Sequence, residues 1–206
     1  MLINGVAACT APTTRMGQTE GPTTDALQPP DVALGAHGMV ASDAPLAAEV
    51  GVRILMAGGN AVDAAIATAF ALAVVYPEAG NIGGGGFFVG HFADGSTATL
   101  DFREVAPLRA TRDMYVDAQG NVTDQSLTGH LASGVPGSVA GLWALHQKFG
   151  SKPWRELILP AIDFAHHGFV VDAHVARVIG DDSRLMRFPA SAWLLPEGQP
   201  PAVGTL

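Results

Sequence analysis

A single cysteine stands in the chain, so no intrachain disulfide, Cys-based zinc site or Cys-held iron–sulfur cluster can form within it. Charge is also scarce: Asp, Glu, Lys and Arg make up 15% of the residues, against a usual share of about 25%. Positive charge is scarcer still. Lys+Arg 11 against Asp+Glu 19 leaves a formal net charge of −8, which argues against the basic stripe that a nucleic-acid groove needs. Long apolar runs are missing too. The longest, from Ala64 to Tyr76, is interrupted by Thr68 and falls short of the ~18–20 residues of a membrane-spanning helix. It reads instead as a buried core helix, which accounts for a mean hydropathy of +0.27. What is plentiful is apolar residues, at 48%, and glycine, at 25 of 206 residues. A core is therefore available, and the glycine excess signals tight turns and close backbone approach rather than a plain helical bundle.

Two regions differ in texture. Residues 1–36 read as a flexible tether, because residues 10–31 hold Thr, Pro, Gly and Gln with almost no large apolar side chains. Ahead of it, Val6-Ala7-Ala8-Cys9 resembles the processing site of a bacterial lipoprotein signal. The charged start and the ~7–15-residue apolar stretch of a signal peptide do not fit ahead of Ala7. A lipid anchor at Cys9 is one expectation, and a disordered start with an incidental Cys is the other. Residues 37–206 read as the folded part.

Within that part, Ser42-Asp43-Ala44-Pro45 looks like a helix start, with a Ser cap and Pro in the first turn. Leu46, Val50, Ile54 and Leu55 follow at helical spacing, and Gly58-Gly59 stops the helix. Asn60 caps a second helix over 61–76, with Asp63 three residues on. That helix is apolar all round and must be covered on most sides. Strands are expected at 86–92 and 97–103, joined by Ala93-Asp94-Gly95-Ser96. Residues 104–135 read as loops and short elements. Further helices are expected from Pro136-Gly137 to Phe149, from Pro153 to His167, and from Asp172 to Ile179. The sum is an α+β layered fold, helix-rich and short of strands for a complete sheet. Either strands follow in further sequence or the domain is unusually helical.

The candidate sites sort quickly. Gly83-Gly84-Gly85-Gly86 is no phosphate cradle, because a helix precedes it, a strand follows and no Lys is near. Close packing fits it, and so does shaping of a small-molecule pocket. His166, His167 and His174 lack metal-site spacing, and helix-end histidines suit the C-terminal dipole. Asp181-Asp182 reads as a solvated loop. Gly137-Ser138-Val139-Ala140-Gly141 lacks the spacing of a nucleophile elbow. Asp101-Phe102-Arg103-Glu104 is more informative. Alternation puts Phe102 on one face and Asp101 and Arg103 on the other, so Arg103 can point into a cleft at a strand end. It can grip a carboxylate with two parallel hydrogen bonds, or it can pair with Asp101, Glu104 or another acid.

Five ordered stretches together resemble the γ-glutamyltranspeptidase (glutathione hydrolase) family, bacterial type. They are Gly58-Gly59-Asn60-Ala61-Val62-Asp63-Ala64-Ala65, Asn81-Ile82-Gly83-Gly84-Gly85-Gly86-Phe87, Asp101-Phe102-Arg103-Glu104-Val105-Ala106-Pro107, Thr111-Arg112-Asp113-Met114-Tyr115 and Ser133-Gly134-Val135-Pro136-Gly137-Ser138-Val139-Ala140-Gly141. The resemblance implies part of an N-terminal-nucleophile hydrolase with an αββα sandwich. It implies a precursor that cuts itself into large and small subunits, freeing a Thr that attacks γ-glutamyl amides such as glutathione and forms an acyl-enzyme. No cofactor is implied. Arg103 matches the arginine that binds the substrate α-carboxylate. The family's Thr-Thr-His-type motif has no match here: Thr13-Thr14 precedes Arg15 and Thr23-Thr24 precedes Asp25. The chain therefore looks like the front part of the large subunit, and residues 1–206 alone are expected to be inactive. The missing small subunit is the expected partner, and a periplasmic or secreted location is the expected one. A related amide acylase on the same fold and a non-catalytic remnant are the alternatives.

Overall fold

The computed structural model describes residues 34–206, and a compact unit spans His37–Leu206. Cys9 and the expected tether up to residue 33 lie outside the described residues. Among the described residues, five α-helices and one hairpin follow in order: α1 Pro45–Met56, α2 Ala61–Val75, β1 Phe87–His91, β2 Thr97–Asp101, α3 Ser138–Phe149, α4 Trp154–His167 and α5 Ala173–Asp181.

Helix α2 is the centre. Ile66, Ala67 and Ala71 are fully buried, and α1, α3 and α4 pack around it. Its alanines let α1 and α4 approach closely, and Val50, Leu142, Leu145, Leu157 and Ala161 close the core around them. The apolar-all-round helix is thus covered from within the chain. The hairpin is not: its inner face, through Phe88, Leu100 and the adjoining Phe102, joins the core, while Phe87 and Val89 on the outer face stay 66% and 80% exposed. A smaller cluster of Val171, Val175, Ile179 and Leu195 packs α5 against the short 3₁₀ turns of the tail. No helix among the described residues is long and apolar enough to cross a membrane.

The N-terminus of α2 is fixed by a reciprocal cap. Asn60 Oδ1 accepts from the N–H groups of Val62 and Asp63, and the Asp63 carboxylate accepts from Asn60 N–H at 2.9 Å. Asp63 is fully buried, and its carboxylate also receives the Ser151 hydroxyl and the N–H groups of Ser151 and Lys152 from the α3–α4 connection. Burial by itself would raise its pKa. The Ser151 hydroxyl and the three backbone N–H groups outweigh burial and hold the carboxyl below its ordinary value of 3.8.

Helix α1 begins two residues later than a Ser42 cap would place it. Ala44 is the cap residue, and Ser42 sits two residues earlier, where its hydroxyl donates to Ala44 C=O and accepts from Ala44 N–H. Pro45 fills the first helical position. The strands are shorter than expected. Register pairs Phe87 with Asp101 and His91 with Thr97, and β2 stops at Asp101 because that side chain takes the N–H of Arg103 at 3.0 Å. Gly95, at φ +83°, makes the connecting turn.

Asp63→Asn should lower stability by about 1.5–3 kcal/mol at pH 7, because an amide cannot accept from all four donors. The carboxylate's contribution is full above 3.8 and is lost as pH falls through its lower folded value. Urea unfolding should therefore show a wild-type advantage at pH 7 that shrinks by pH 3. An equal gap at both pH values would show that charge is irrelevant at this position.

The glycine run gives a second expectation. A Cβ on Gly85 would lie 2.6 Å from Arg103 Cα, whereas a Cβ on Gly83 meets nothing within 4 Å. Gly85→Ala should cost about 1–3 kcal/mol, and Gly83→Ala should stay within about 0.5 kcal/mol. Thermal melts of both variants check the contrast.

Candidate substrate-carboxylate site

Three backbone segments meet beside the hairpin's open end. Gly84 C=O accepts from Gly137 N–H at 2.7 Å and from Ser138 N–H at 3.0 Å, tying the glycine run to the start of α3. Val105 and Val135 bridge antiparallel, and residues 102–105 pack against both segments. The fit leaves no room for side chains. A Cβ on Gly137 would lie 2.0 Å from Phe102 C=O, and one on Gly141 would lie 2.2 Å from the Phe102 ring. The glycines thus act as packing residues that bring backbone against backbone. Asn81 completes the join: its Oδ1 accepts from Gly84 N–H at 2.8 Å and from the Ser138 hydroxyl at 2.6 Å.

Arg103 projects from this join. Its neighbour Phe102 turns inward against the core, and Arg103 itself is exposed, as alternation requires. It lies two residues beyond the last strand residue rather than within the strand. Asp101 holds its backbone N–H, and its guanidinium carbon sits over the Phe87 ring, 5.8 Å from the centroid. The expected alternative, an ion pair with Asp101 or Glu104, does not form: among the described residues no carboxylate lies within 4 Å of the Arg103 guanidinium. Among the described residues the guanidinium donates no hydrogen bond either, so none of its five N–H donors is spent there. A planar fork of donors at the rim of a Gly-walled join is suited to a carboxylate.

The other candidates go elsewhere. His167 Nδ1 lies 2.8 Å from Asp163 in the last turn of α4, whereas His174 bonds to Glu78 and stacks on Tyr76. These histidines serve separate partners. Asp182 is held by both donors of Arg184, at 2.8 Å each, and Asp181 pairs with Arg177. Ser138 is buried and donates to Asn81, so it is a structural hydroxyl at a helix start. Sequence reasoning missed Asn81. The available signal was an Asn two residues before a glycine run, a residue type that hydrogen-bonds neighbouring backbone in turns. It missed the contact of Arg103 with Phe87 too, although strand register places Phe87 beside the end of β2.

Comparison with known proteins gives this geometry a family. The glutathione hydrolase proenzyme of Pseudomonas aeruginosa is 56% identical over 135 residues, which is 65% of this chain and 24% of that protein. The acylase ACY 1 proenzyme of a Pseudomonas species is 41% identical over 177 residues, covering 82% of this chain and 32% of that protein. Among solved structures, the γ-glutamyltranspeptidase of Helicobacter pylori superposes with a TM-score of 0.82 at 44% identity, over 85% of this chain and 51% of that one. The helix-rich α+β arrangement is thus part of an N-terminal-nucleophile hydrolase sandwich. This chain spans about a quarter of the length of the glutathione hydrolases it matches. The γ-glutamyltranspeptidase family model matches residues 47–206, from within α1 through the glycine run and Arg103 to the last residue, and the chain belongs to that family.

Proposed function

We propose that this chain supplies the α-carboxylate grip of an enzyme that cleaves γ-glutamyl amides such as glutathione. The observation that carries the reading is Arg103, exposed, without an acidic partner among the described residues, and set two residues past β2 within the family-matched region. In the reaction, the hydroxyl of an N-terminal Thr outside this chain attacks the γ-carbonyl while the Thr amine takes its proton. The amide C–N bond breaks, and the leaving amine receives that proton. Water or an amino acid then attacks the resulting ester and releases the γ-glutamyl group. Arg103 touches none of the reacting atoms. It pairs with the carboxylate at the far end of the γ-glutamyl unit and fixes where the γ-carbonyl lies. The partner is the remaining large-subunit sequence and the small subunit of the same precursor.

A second reading is an acylase for another amide, supported by the 41% identity to the acylase ACY 1 proenzyme. The two differ in what they need from Arg103. Only a γ-glutamyl donor brings the α-carboxylate, so preference for an amide lacking it would favour the acylase.

Arg103→Gln and Arg103→Lys in the complete, self-cleaved enzyme should lower kcat/KM for a γ-glutamyl anilide by about 30- to several-thousand-fold, mainly through KM. Lys fails because an ammonium cannot reproduce the two-pronged geometry. The melting temperature should hardly move. Normal kinetics with a lowered melting temperature would return Arg103 to the scaffold.

Export is part of the same proposal, supported by Val6-Ala7-Ala8 before Cys9 and the polar stretch after it. Expression from the complete gene should place the enzyme outside the cytoplasm, and Cys9→Ser should release any membrane-bound fraction. Enzyme found wholly in the cytoplasm would reject export. Membrane association unchanged by Cys9→Ser would reject the lipid.

A further inference from the structure

The outer face of the hairpin carries Phe87, Val89, His91, Thr97, Thr99 and Asp101. Phe87 and Asp101 stand directly opposite each other in the register. Arg103 follows Asp101 by two residues and is exposed like it, which makes it a diagonal neighbour of Phe87. A long side chain at such a position reaches an aromatic ring across the strand pair. The guanidinium carbon is in fact over the ring, 5.8 Å from its centroid, within the ~6 Å range of cation–π attraction.

Two devices therefore fix one side chain. Asp101 spends a carboxylate oxygen on the backbone N–H of Arg103, at 3.0 Å, and this sets where the side chain leaves the chain. The Phe87 ring then supports the charged end. The difference from an ion pair is chemical. A carboxylate partner would occupy the N–H fork and compete with an anionic ligand. A ring attracts the cation through its π-face and accepts no conventional hydrogen bond from the fork. Arg103 is thereby held in place with its donors unspent among the described residues, which is the state that carboxylate binding requires.

We infer that Phe87 is a positioning residue for Arg103, an aromatic shelf that presents the guanidinium to the substrate α-carboxylate. This rests on the carboxylate-binding reading of Arg103. Phe87 contacts the guanidinium and acts on substrate only through it. The competing role for an exposed phenylalanine is apolar cover for a further layer of the fold, which would show in stability rather than in KM.

The test uses the complete, self-cleaved enzyme with a chromogenic γ-glutamyl anilide as donor. Phe87→Leu keeps apolar bulk and removes the π-face. It should raise donor KM by about 2- to 30-fold, the range that cation–π energies allow, with kcat within about two-fold of wild type. Phe87→Trp supplies the strongest ring for a cation and should keep KM near wild type. Arg103→Gln is run alongside. If Arg103→Gln raises KM and Phe87→Leu does not, the shelf is overturned and the carboxylate grip stands. If Arg103→Gln leaves KM unchanged, the grip fails and the shelf with it. A Phe87→Trp enzyme that melts normally yet shows the KM of Phe87→Leu would also overturn the proposal. So would a Phe87→Leu enzyme whose only defect is a lower melting temperature.

Discussion

The buried carboxylate of Asp63 is the constraint on which the arrangement turns. It closes the cap of α2 through Asn60 and holds the α3–α4 connection through Ser151 and Lys152. One side chain thereby sets where the central helix begins and where the chain turns from α3 to α4, two of the three helices that cover it. A charge in a core costs several kcal/mol unless it is fully hydrogen-bonded, and here a hydroxyl and three backbone N–H groups converge on it. Asn60 adds a further tie, since its amide donates to Phe149 C=O at the end of α3. With the helices so fixed, the start of α3 meets the glycine run, and the join that carries Arg103 follows.

That join is built from absent side chains. The glycine run, Gly137 and Gly141 let three backbone segments approach within hydrogen-bonding range, and the Phe102 ring fills the space beside them. Rigid backbone on both sides of Phe102 leaves Arg103 little freedom at its Cα. Its remaining freedom lies in the side chain, and there Phe87 supplies a surface.

Much of this was legible in the residues. Asn60 with Asp63 three positions later signals a reciprocal cap, Asp94-Gly95 signals the hairpin, and Gly58-Gly59 marks the end of α1. Each is a local rule, and each holds in the structure. Alternation alone also put Phe102 on one face and Arg103 on the other, and the structure turns Phe102 to the core. What was not legible is long-range. Asp63 and Ser151 stand 88 positions apart, and Asn81 and Ser138 stand 57 apart, so no local pattern announces them. The strand end at Asp101 was misjudged for another reason. A carboxylate that bonds the N–H two residues on competes with the ladder, and hydrophobic alternation does not register that competition. Ser42 misled likewise, bonding to Ala44 in place of the first turn of α1.

The shelf beneath Arg103 lies inside a single hairpin, whereas the Asp63 hub joins distant parts of the chain. The entropy lost in closing a loop grows with the logarithm of its length, about 0.6 kcal/mol for each doubling. Phe87, Asp101 and Arg103 are thus among the least costly residues of the fold to bring together. They meet as soon as one tight turn closes, on the microsecond scale of hairpin formation. The helical core must gather from far along the chain. The ring beneath the arginine and the carboxylate at its N–H are accordingly encoded in a short stretch, whereas the join that fixes its Cα waits for the start of α3.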